Sequence, residues 1–200
     1  MKVKIKKEGK VESFNLINSW KDVTLETWIK LTDYTTGTKT EEASKTIQAL
    51  SNIPNKLVKE LQLSDVALIM SKISDLQAKQ DTKLKRIIEI NEVEYGFIPD
   101  LDSISLGEYA DIETYIKIGI AKRLPELMAV LYRPVKKKHK NGVYIIDAYD
   151  GDIKMRAEEM KQMSAEQVQS AMGFFFYFAK EFAEIILLYS MKKLKETKLQ

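Results

Sequence analysis

The sequence predicts a mainly α-helical α+β fold: a helical bundle-like core with small β-hairpins, an N-terminal hairpin and a long C-terminal helix. The 200-residue chain is 44% hydrophobic and 30% charged, as in folded globular proteins. Its 8 Gly and 4 Pro are few, which favours long helices over loop-rich or all-β folds. Apolar residues recur mostly at helical spacing. We expect an N-terminal hairpin over residues 1–17 and a single mainly helical domain over 18–200, with a hairpin insertion near 134–148.

The first half of the chain predicts a hairpin, several helices and two strands. Residues 2–14 alternate apolar and charged side chains on either side of Glu8 and Gly9, which is the pattern of a hairpin. Thr24 is a good N-cap for a helix that ends near Tyr34. Three further helices are expected: one over 41–51, a short one that starts at Pro54, and a longer one that Ser64 caps and that runs to about 80. Two strands are expected after them, over 85–91 and 93–98.

The second half predicts helices separated by one strong turn signal. Ser105 and Glu108 have the spacing of a capping box, and the helix after them is expected to bury Tyr109, Ile112, Ile116 and Ile120. A helix over 122–132 follows, and Asn141-Gly142 then indicates a tight hairpin turn because both residue types tolerate positive φ. The last two helices are expected over 152–161 and, opened by a Ser164 and Gln167 capping box, from 164 to about 195.

Residue types that carry most catalytic chemistry are scarce. The chain has no Cys and a single His, His139, in a Lys-rich turn, so disulfides, cysteine nucleophiles and cysteine-ligated zinc are excluded. No phosphate-binding loop, nucleophile elbow or calcium-loop pattern occurs. Glu108 and Asp111 could form an acid–base pair, but their place in the first turns of a helix explains both carboxylates equally well. We expect no enzymatic activity, no cofactor and no metal site.

Two stretches give expectations about location. The Lys-rich residues 1–7 have no apolar segment behind them, so we expect no signal peptide and synthesis in the cytoplasm. Residues 171–189 are the most apolar stretch, but Lys180, Glu181 and Glu184 in its middle make membrane insertion costly. We therefore expect no membrane contact.

Charges of opposite sign are separated along the chain. Residues 87–116 hold eight acidic residues and no Lys or Arg, whereas residues 117–140 hold eight basic residues and a single acidic one. Such faces could set the register between neighbouring subunits, or they could neutralise each other within one chain. A contact of the lysines with DNA phosphates is a weaker alternative, because no aromatic residues are interleaved. The candidates for a subunit interface are Arg133, Lys136, Lys137, Lys138, Lys140, Glu108, Asp111 and Glu113.

Five consecutive aromatic residues, at 174–178, lie in the last predicted helix. Consecutive residues point around the whole circumference of a helix, so one small core does not easily cover them all. Phe175 and Phe178 are therefore candidates either for the central core or for a subunit interface.

Three stretches follow one another along the chain: residues 18–25 (NSWKDVTL), 107–113 (GEYADIE) and 128–135 (MAVLYRPV). Together they resemble small proteins from the structural gene blocks of tailed bacteriophages, particularly the crass-like phages of Bacteroides-type hosts. The resemblance covers about residues 18–165. It implies a protein made in the host cytoplasm that enters the virion as a homo-oligomeric ring, a head-to-tail connector or tail ring protein, in contact with portal, neck or tail proteins. It equally admits a tail assembly chaperone that holds a tail component and stays out of the virion.

Overall fold

The computed structural model describes residues 1–7, 10–33, 37–77, 83–100 and 104–176. In these residues the fold is an α+β mixture with two antiparallel sheets, one of two strands and one of four. The prediction of a mainly α-helical fold with a bundle-like core is therefore wrong. Its error has a definite cause: two strand pairs that the sequence suggested as small separate hairpins join edge to edge into one sheet.

The N-terminal hairpin consists of β1 (Lys2–Lys7) and β2 (Lys10–Asn15). Val3 and Ile5 are buried and the lysines between them are exposed, which is the alternation expected of a strand with one covered face. The hairpin packs on three helices, and its buried residues form one core with theirs. These helices are α1 (Leu25–Asp33), α2 (Lys39–Leu50) and α4 (Leu63–Gln77), with the short α3 (Asn55–Val58) before the last.

Three helix starts in this region differ from the prediction. Thr38 caps α2 with a capping box, so α2 begins at Lys39. Pro54 is the N-cap of α3 and not its first residue. Ser64 does not cap α4, because the first turn already forms at Gln62, whose carbonyl accepts from the Asp65 N–H at 3.0 Å. The apolar stripe of α4 is confirmed, since Ile69 and Ile73 are buried in the N-terminal core.

Helix α1 joins the two halves of the molecule. Thr24 caps it as predicted, with its Oγ1 accepting from the Thr27 N–H at 3.2 Å. Trp28 packs against both core clusters. The Leu25 N–H donates to the Met163 carbonyl at 2.7 Å and the Ala165 N–H donates to the Val23 carbonyl at 2.7 Å. The N-terminal half is thereby fixed to the start of the last described helix.

In the four-stranded sheet, each strand pairs with the strand that follows it in the sequence. Its strands are β3 (Ile87–Ile90), β4 (Val93–Phe97), β5 (Tyr132–Lys138) and β6 (Tyr144–Ile146). Across β4 and β5, Tyr95 lies opposite Pro134 and Phe97 opposite Tyr132. The hairpin predicted as an insertion near 134–148 is thus an integral part of the sheet. Gly96 permits this packing, because a Cβ there would lie 2.6 Å from the Tyr144 ring.

The sequence predicted a tight hairpin turn at Asn141-Gly142, but the tight turn of this sheet lies at Asn91-Glu92. Asn91 and Glu92 both have positive φ, 49° and 65°, and make the two-residue turn between β3 and β4. Of the Asn141-Gly142 pair only Gly142 has positive φ, at 83°. The turn there is a longer loop, which His139 closes by donating its N–H to the Val143 carbonyl at 2.8 Å.

Four helices belong to this half of the molecule: α5 (Leu106–Ile118), α6 (Leu124–Leu131), α7 (Lys154–Met160) and α8, which runs from 165 through 176, the last residue described. The larger core lies between these helices and one face of the sheet, and its fully buried members include Phe97, Leu127, Tyr132, Met160 and Met163. In the described part of the chain, no helix is both long and apolar enough to span a bilayer.

Candidate interaction surfaces

Most of the candidate interface charges have partners inside the chain. Arg133 binds Glu108 at 2.8 Å, Lys136 binds Asp147 at 3.0 Å and Lys138 binds Glu94. Glu113 pairs with Lys117 along α5 at 3.0 Å. Among the described residues, Lys137 and Lys140 have no ion-pair partner and both are exposed. The acidic and basic segments therefore meet largely within one chain, and they leave two lysines of the β5–β6 hairpin without an acidic neighbour.

A buried polar cluster joins α5 to the sheet. The Glu108 carboxylate accepts from the Ser105 N–H at 2.6 Å in the predicted capping box and also binds Arg133. The side chains of Arg133 and Glu108 are only 8% and 6% exposed. The Arg133 guanidinium lies 5.8 Å from the centre of the Tyr149 ring, and the Tyr149 hydroxyl donates to Asp111. The cluster thus ties α5, β5 and the segment after β6 together.

Burial shifts the pKa of two groups in this cluster, Arg133 and Tyr149. It lowers the pKa of the Arg133 guanidinium, while the Glu108 carboxylate opposes that shift. Burial also raises the pKa of the Tyr149 phenol well above its usual range, and the hydrogen bond to Asp111 adds to that shift. Tyr149 therefore remains a neutral hydrogen-bond donor at physiological pH. The sequence did not point to Tyr149, because it lies in an irregular segment without periodicity.

Glu108 and Asp111, which the sequence suggested as an acid–base pair, both bind other residues of the chain. Glu108 is bound by Ser105 and Arg133, and Asp111 accepts from Tyr149. A pocket of about 280 Å³ opens beside them, lined by Ile98, Pro99, Asp100, Ile104, Ser105, Glu108, Arg133, Ile146 and Tyr149. Arg133 Nε is buried and has no hydrogen-bond partner among the described atoms. In the described ranges, no group of three His, Cys, Asp or Glu side chains is placed to hold a metal ion.

The outer side of α5 carries apolar residues that the rest of the described chain does not cover. Of the four residues expected to face inward, Ile112 is buried, whereas Tyr109 is 43% and Ile116 is 42% exposed. Leu106 at the start of the helix is 84% exposed. We call this surface the α5 flank and define it by Leu106, Tyr109, Glu113 and Ile116. The helix has turned its polar residue Glu108 inward and part of its apolar set outward.

The β5–β6 hairpin carries a second exposed surface. Val143 is 55% and Ile145 is 49% exposed, and Ile145 lies opposite Lys137 in the strand register. We call this surface the hairpin patch and define it by Lys137, Lys140, Val143 and Ile145. It combines apolar area with the two lysines that have no ion-pair partner in the described chain.

The aromatic run divides between core and surface. The predicted capping box of α8 is present, with the Ser164 N–H donating to Gln167 Oε1 at 3.0 Å. Phe175 is buried, and the Phe174 ring meets the Phe97 ring edge to face at 5.6 Å. Phe176 is 48% exposed. Phe178 and the predicted extension of the helix to about 195 lie outside the described residues.

A wider groove lies between the end of α5, α6 and α7. Its volume is about 640 Å³. Ile118 and Met155 form its apolar rim and are 50% and 82% exposed. Arg123 and Glu126 on its wall pair with each other at 2.6 Å.

The chain was compared with models of protein families, with curated proteins and with solved structures, and none of the three comparisons found a match.

Proposed function

We propose that this chain is a virion structural protein of a tailed bacteriophage, a subunit of a ring in the portal, neck or tail assembly. It acts by protein–protein association and not by catalysis. The observation that carries the association role is the α5 flank, where Leu106, Tyr109 and Ile116 form an apolar strip that the described chain leaves uncovered, and the virion context comes from the resemblance of the sequence.

An apolar strip of this kind favours an association function. Grouped exposed apolar residues mark interaction sites more often than single ones do. Tyr109 is also a residue type enriched in the centres of protein interfaces, because its ring is large and its hydroxyl can stay hydrated. Association would remove Leu106 from water, where 84% of its surface now lies.

The phage assignment rests on the resemblance, and residues that carry it meet in the buried polar cluster. Two of the three stretches that resemble phage structural proteins, 107–113 and 128–135, meet in the ion pair between Glu108 and Arg133. The residues of the resemblance thus hold α5 against the sheet, and this contact keeps the α5 flank on the outside. A ring subunit needs such a rigid presentation, because each neighbour must dock in the same orientation.

Quantitative mass spectrometry of purified mature particles tests the proposal. The chain is followed relative to the portal and major capsid proteins, in particles and in the lysate of infected cells. We expect a fixed ratio near that of the portal protein in particles. Abundance in the lysate together with absence from particles would contradict a virion role and would favour the tail assembly chaperone.

A further inference from the structure

We propose that copies of this chain associate head to tail, with the α5 flank of one copy packed on the hairpin patch of the next. This inference rests on the proposed function and goes beyond it by naming the two surfaces. The occupant of each surface is a second copy of the chain.

Apolar area is available on both sides of this contact. Leu106, Tyr109 and Ile116 supply it on the α5 flank, and Val143 and Ile145 supply it on the hairpin patch. Each of these five side chains is at least 42% exposed in the single chain. Packing one set against the other removes both from water at once.

Charge complementarity selects a second copy as the partner. On the α5 flank the acidic side chain available to a partner is Glu113, because Glu108 is buried with Arg133 and Asp111 accepts from Tyr149. The hairpin patch supplies Lys137 and Lys140, which have no ion-pair partner in the described chain. Glu113 is 49% exposed, and its present partner Lys117 is 71% exposed on the same helix. Such a solvated pair is weak, so Glu113 is free to bind a lysine of the neighbouring copy.

The two surfaces share no residue and belong to different elements. In the proposed contact each neighbour takes only one of the two surfaces, so a copy that uses its α5 flank still presents a free hairpin patch and the contact is heterologous. Repetition of such a contact closes into a ring when the rotation per subunit divides a full turn. A two-fold contact would instead pair both surfaces of one copy reciprocally with those of a single partner and stop at a dimer.

The absence of Cys from the sequence allows a direct cross-linking test. Full-length Tyr109→Cys and Ile145→Cys variants are made singly and combined, and they are treated with a short bifunctional maleimide. We expect no cross-linked product from either single variant, dimers from a mixture of the two, and a ladder of multimers from the double variant. Efficient dimers from either single variant, or dimers without larger multimers from the double variant, would overturn the head-to-tail arrangement. The arrangement would also be overturned if the mixture of single variants gives no dimers and particles assembled from the double variant give no ladder.

Charge reversal in the double-cysteine background tests the specificity of the contact. Lys137→Glu with Lys140→Glu, and separately Glu113→Lys, should each lower the yield of multimers at least several-fold. The three changes together should restore much of the yield, because the opposite charges then face each other again. The matched control is Lys4→Glu with Lys6→Glu, at exposed positions of β1, which should leave the yield unchanged. Equal loss in the control, or no rescue in the triple variant, would overturn the pairing of these surfaces.

Failure of this contact and failure of the proposed function give different results. If the chain is present in particles at the ratio of the portal protein but the double variant gives no ladder there, the head-to-tail contact is wrong and the virion role stands. If the chain is absent from particles, the virion role itself is wrong.

Discussion

Helices α5 and α6 are neighbours in sequence and in space, yet they use their apolar residues in opposite ways. Seven of the eight residues of α6 are buried, among them Leu127, Met128 and Val130. In the thirteen residues of α5, only Glu108 and Ile112 are buried. Helix α6 fills the core, whereas α5 directs a carboxylate inward and leaves Leu106, Tyr109 and Ile116 exposed to solvent.

The difference shows that hydrophobic content alone does not determine which side of a helix is buried. The apolar residues of α6 cover its whole circumference, so the helix is covered only where other elements surround it. Those of α5 are spread over several directions, and the side that faces inward holds both the ion pair of Glu108 with Arg133 and the buried Ile112. Helix α5 therefore has a buried ion pair on its inner side and the apolar α5 flank on its outer side.

The largest effect is expected from breaking this ion pair. Arg133→Met leaves the Glu108 carboxylate buried without its partner and should lower the free energy of unfolding by about 3 to 5 kcal/mol. Adding Glu108→Gln removes the charge and retains the capping box, so the double variant should be more stable than the single one. Urea unfolding of both variants is the measurement. A double variant that is no more stable than Arg133→Met would contradict this role of the pair.

The same Leu→Ala change on the two helices sharpens the comparison. Leu127 on α6 is fully buried, and Leu127→Ala should cost about 2 to 5 kcal/mol because it leaves a cavity in the core. Leu106 on α5 is 84% exposed, and Leu106→Ala should change the stability by less than about 0.5 kcal/mol. Unfolding is followed at low protein concentration, where association does not contribute. Similar losses at the two positions would contradict the exposure of the α5 flank.

Substitution of glycine tests whether the β5–β6 hairpin belongs to the core. A Cβ at position 96 would lie 2.6 Å from the Tyr144 ring and 2.7 Å from Ile146, so Gly96→Ala should cost about 1 to 3 kcal/mol. The control is Gly173→Ala in α8, where the added Cβ would have no neighbour within 4 Å apart from the adjacent residues and the backbone of its own helix. This control should stabilise the fold by about 0.5 to 1 kcal/mol, as helical Gly→Ala changes do. A harmless Gly96→Ala would mean that the hairpin stands apart from the sheet.

The smallest effect is expected from the exposed ion pair of Lys138 with Glu94. Both side chains are nearly half exposed, at 45% and 44%. Lys138→Met should therefore change the free energy of unfolding by less than about 1 kcal/mol, since water and salt screen exposed pairs. The thermal midpoint is compared with that of the Arg133→Met variant. A loss as large as that of Arg133→Met would show that burial does not separate the two pairs.

Local signals in the sequence predicted several elements well. The capping boxes at Ser105 and Ser164, the Thr24 cap and the stripe of α4 are all present, because each depends on residues a few positions apart. The four-stranded sheet was missed because the pairing of β4 with β5 joins residues far apart in the chain, and no local pattern encodes that contact.

The interface candidates also show that local sequence patterns do not encode contacts between distant residues. The charge pattern identified Glu108 and Arg133, but only the fold shows that they bind each other in the interior. Of the four residues that the spacing placed inward, Ile112 is buried and Ile120 packs on the larger core, whereas Tyr109 and Ile116 are exposed. Tyr149 had no signal in the sequence, because its role depends on the loop that brings it over Arg133.

Sedimentation velocity of the full-length chain over a range of concentrations tests most directly whether the α5 flank is an association surface. The wild-type chain should form larger species as its concentration rises, and added salt should weaken them. The variant with Tyr109→Ser and Ile116→Ser should sediment as a monomer with an almost unchanged unfolding transition. A wild-type chain that stays monomeric at every concentration, or a variant that associates equally well, would contradict this role of the α5 flank.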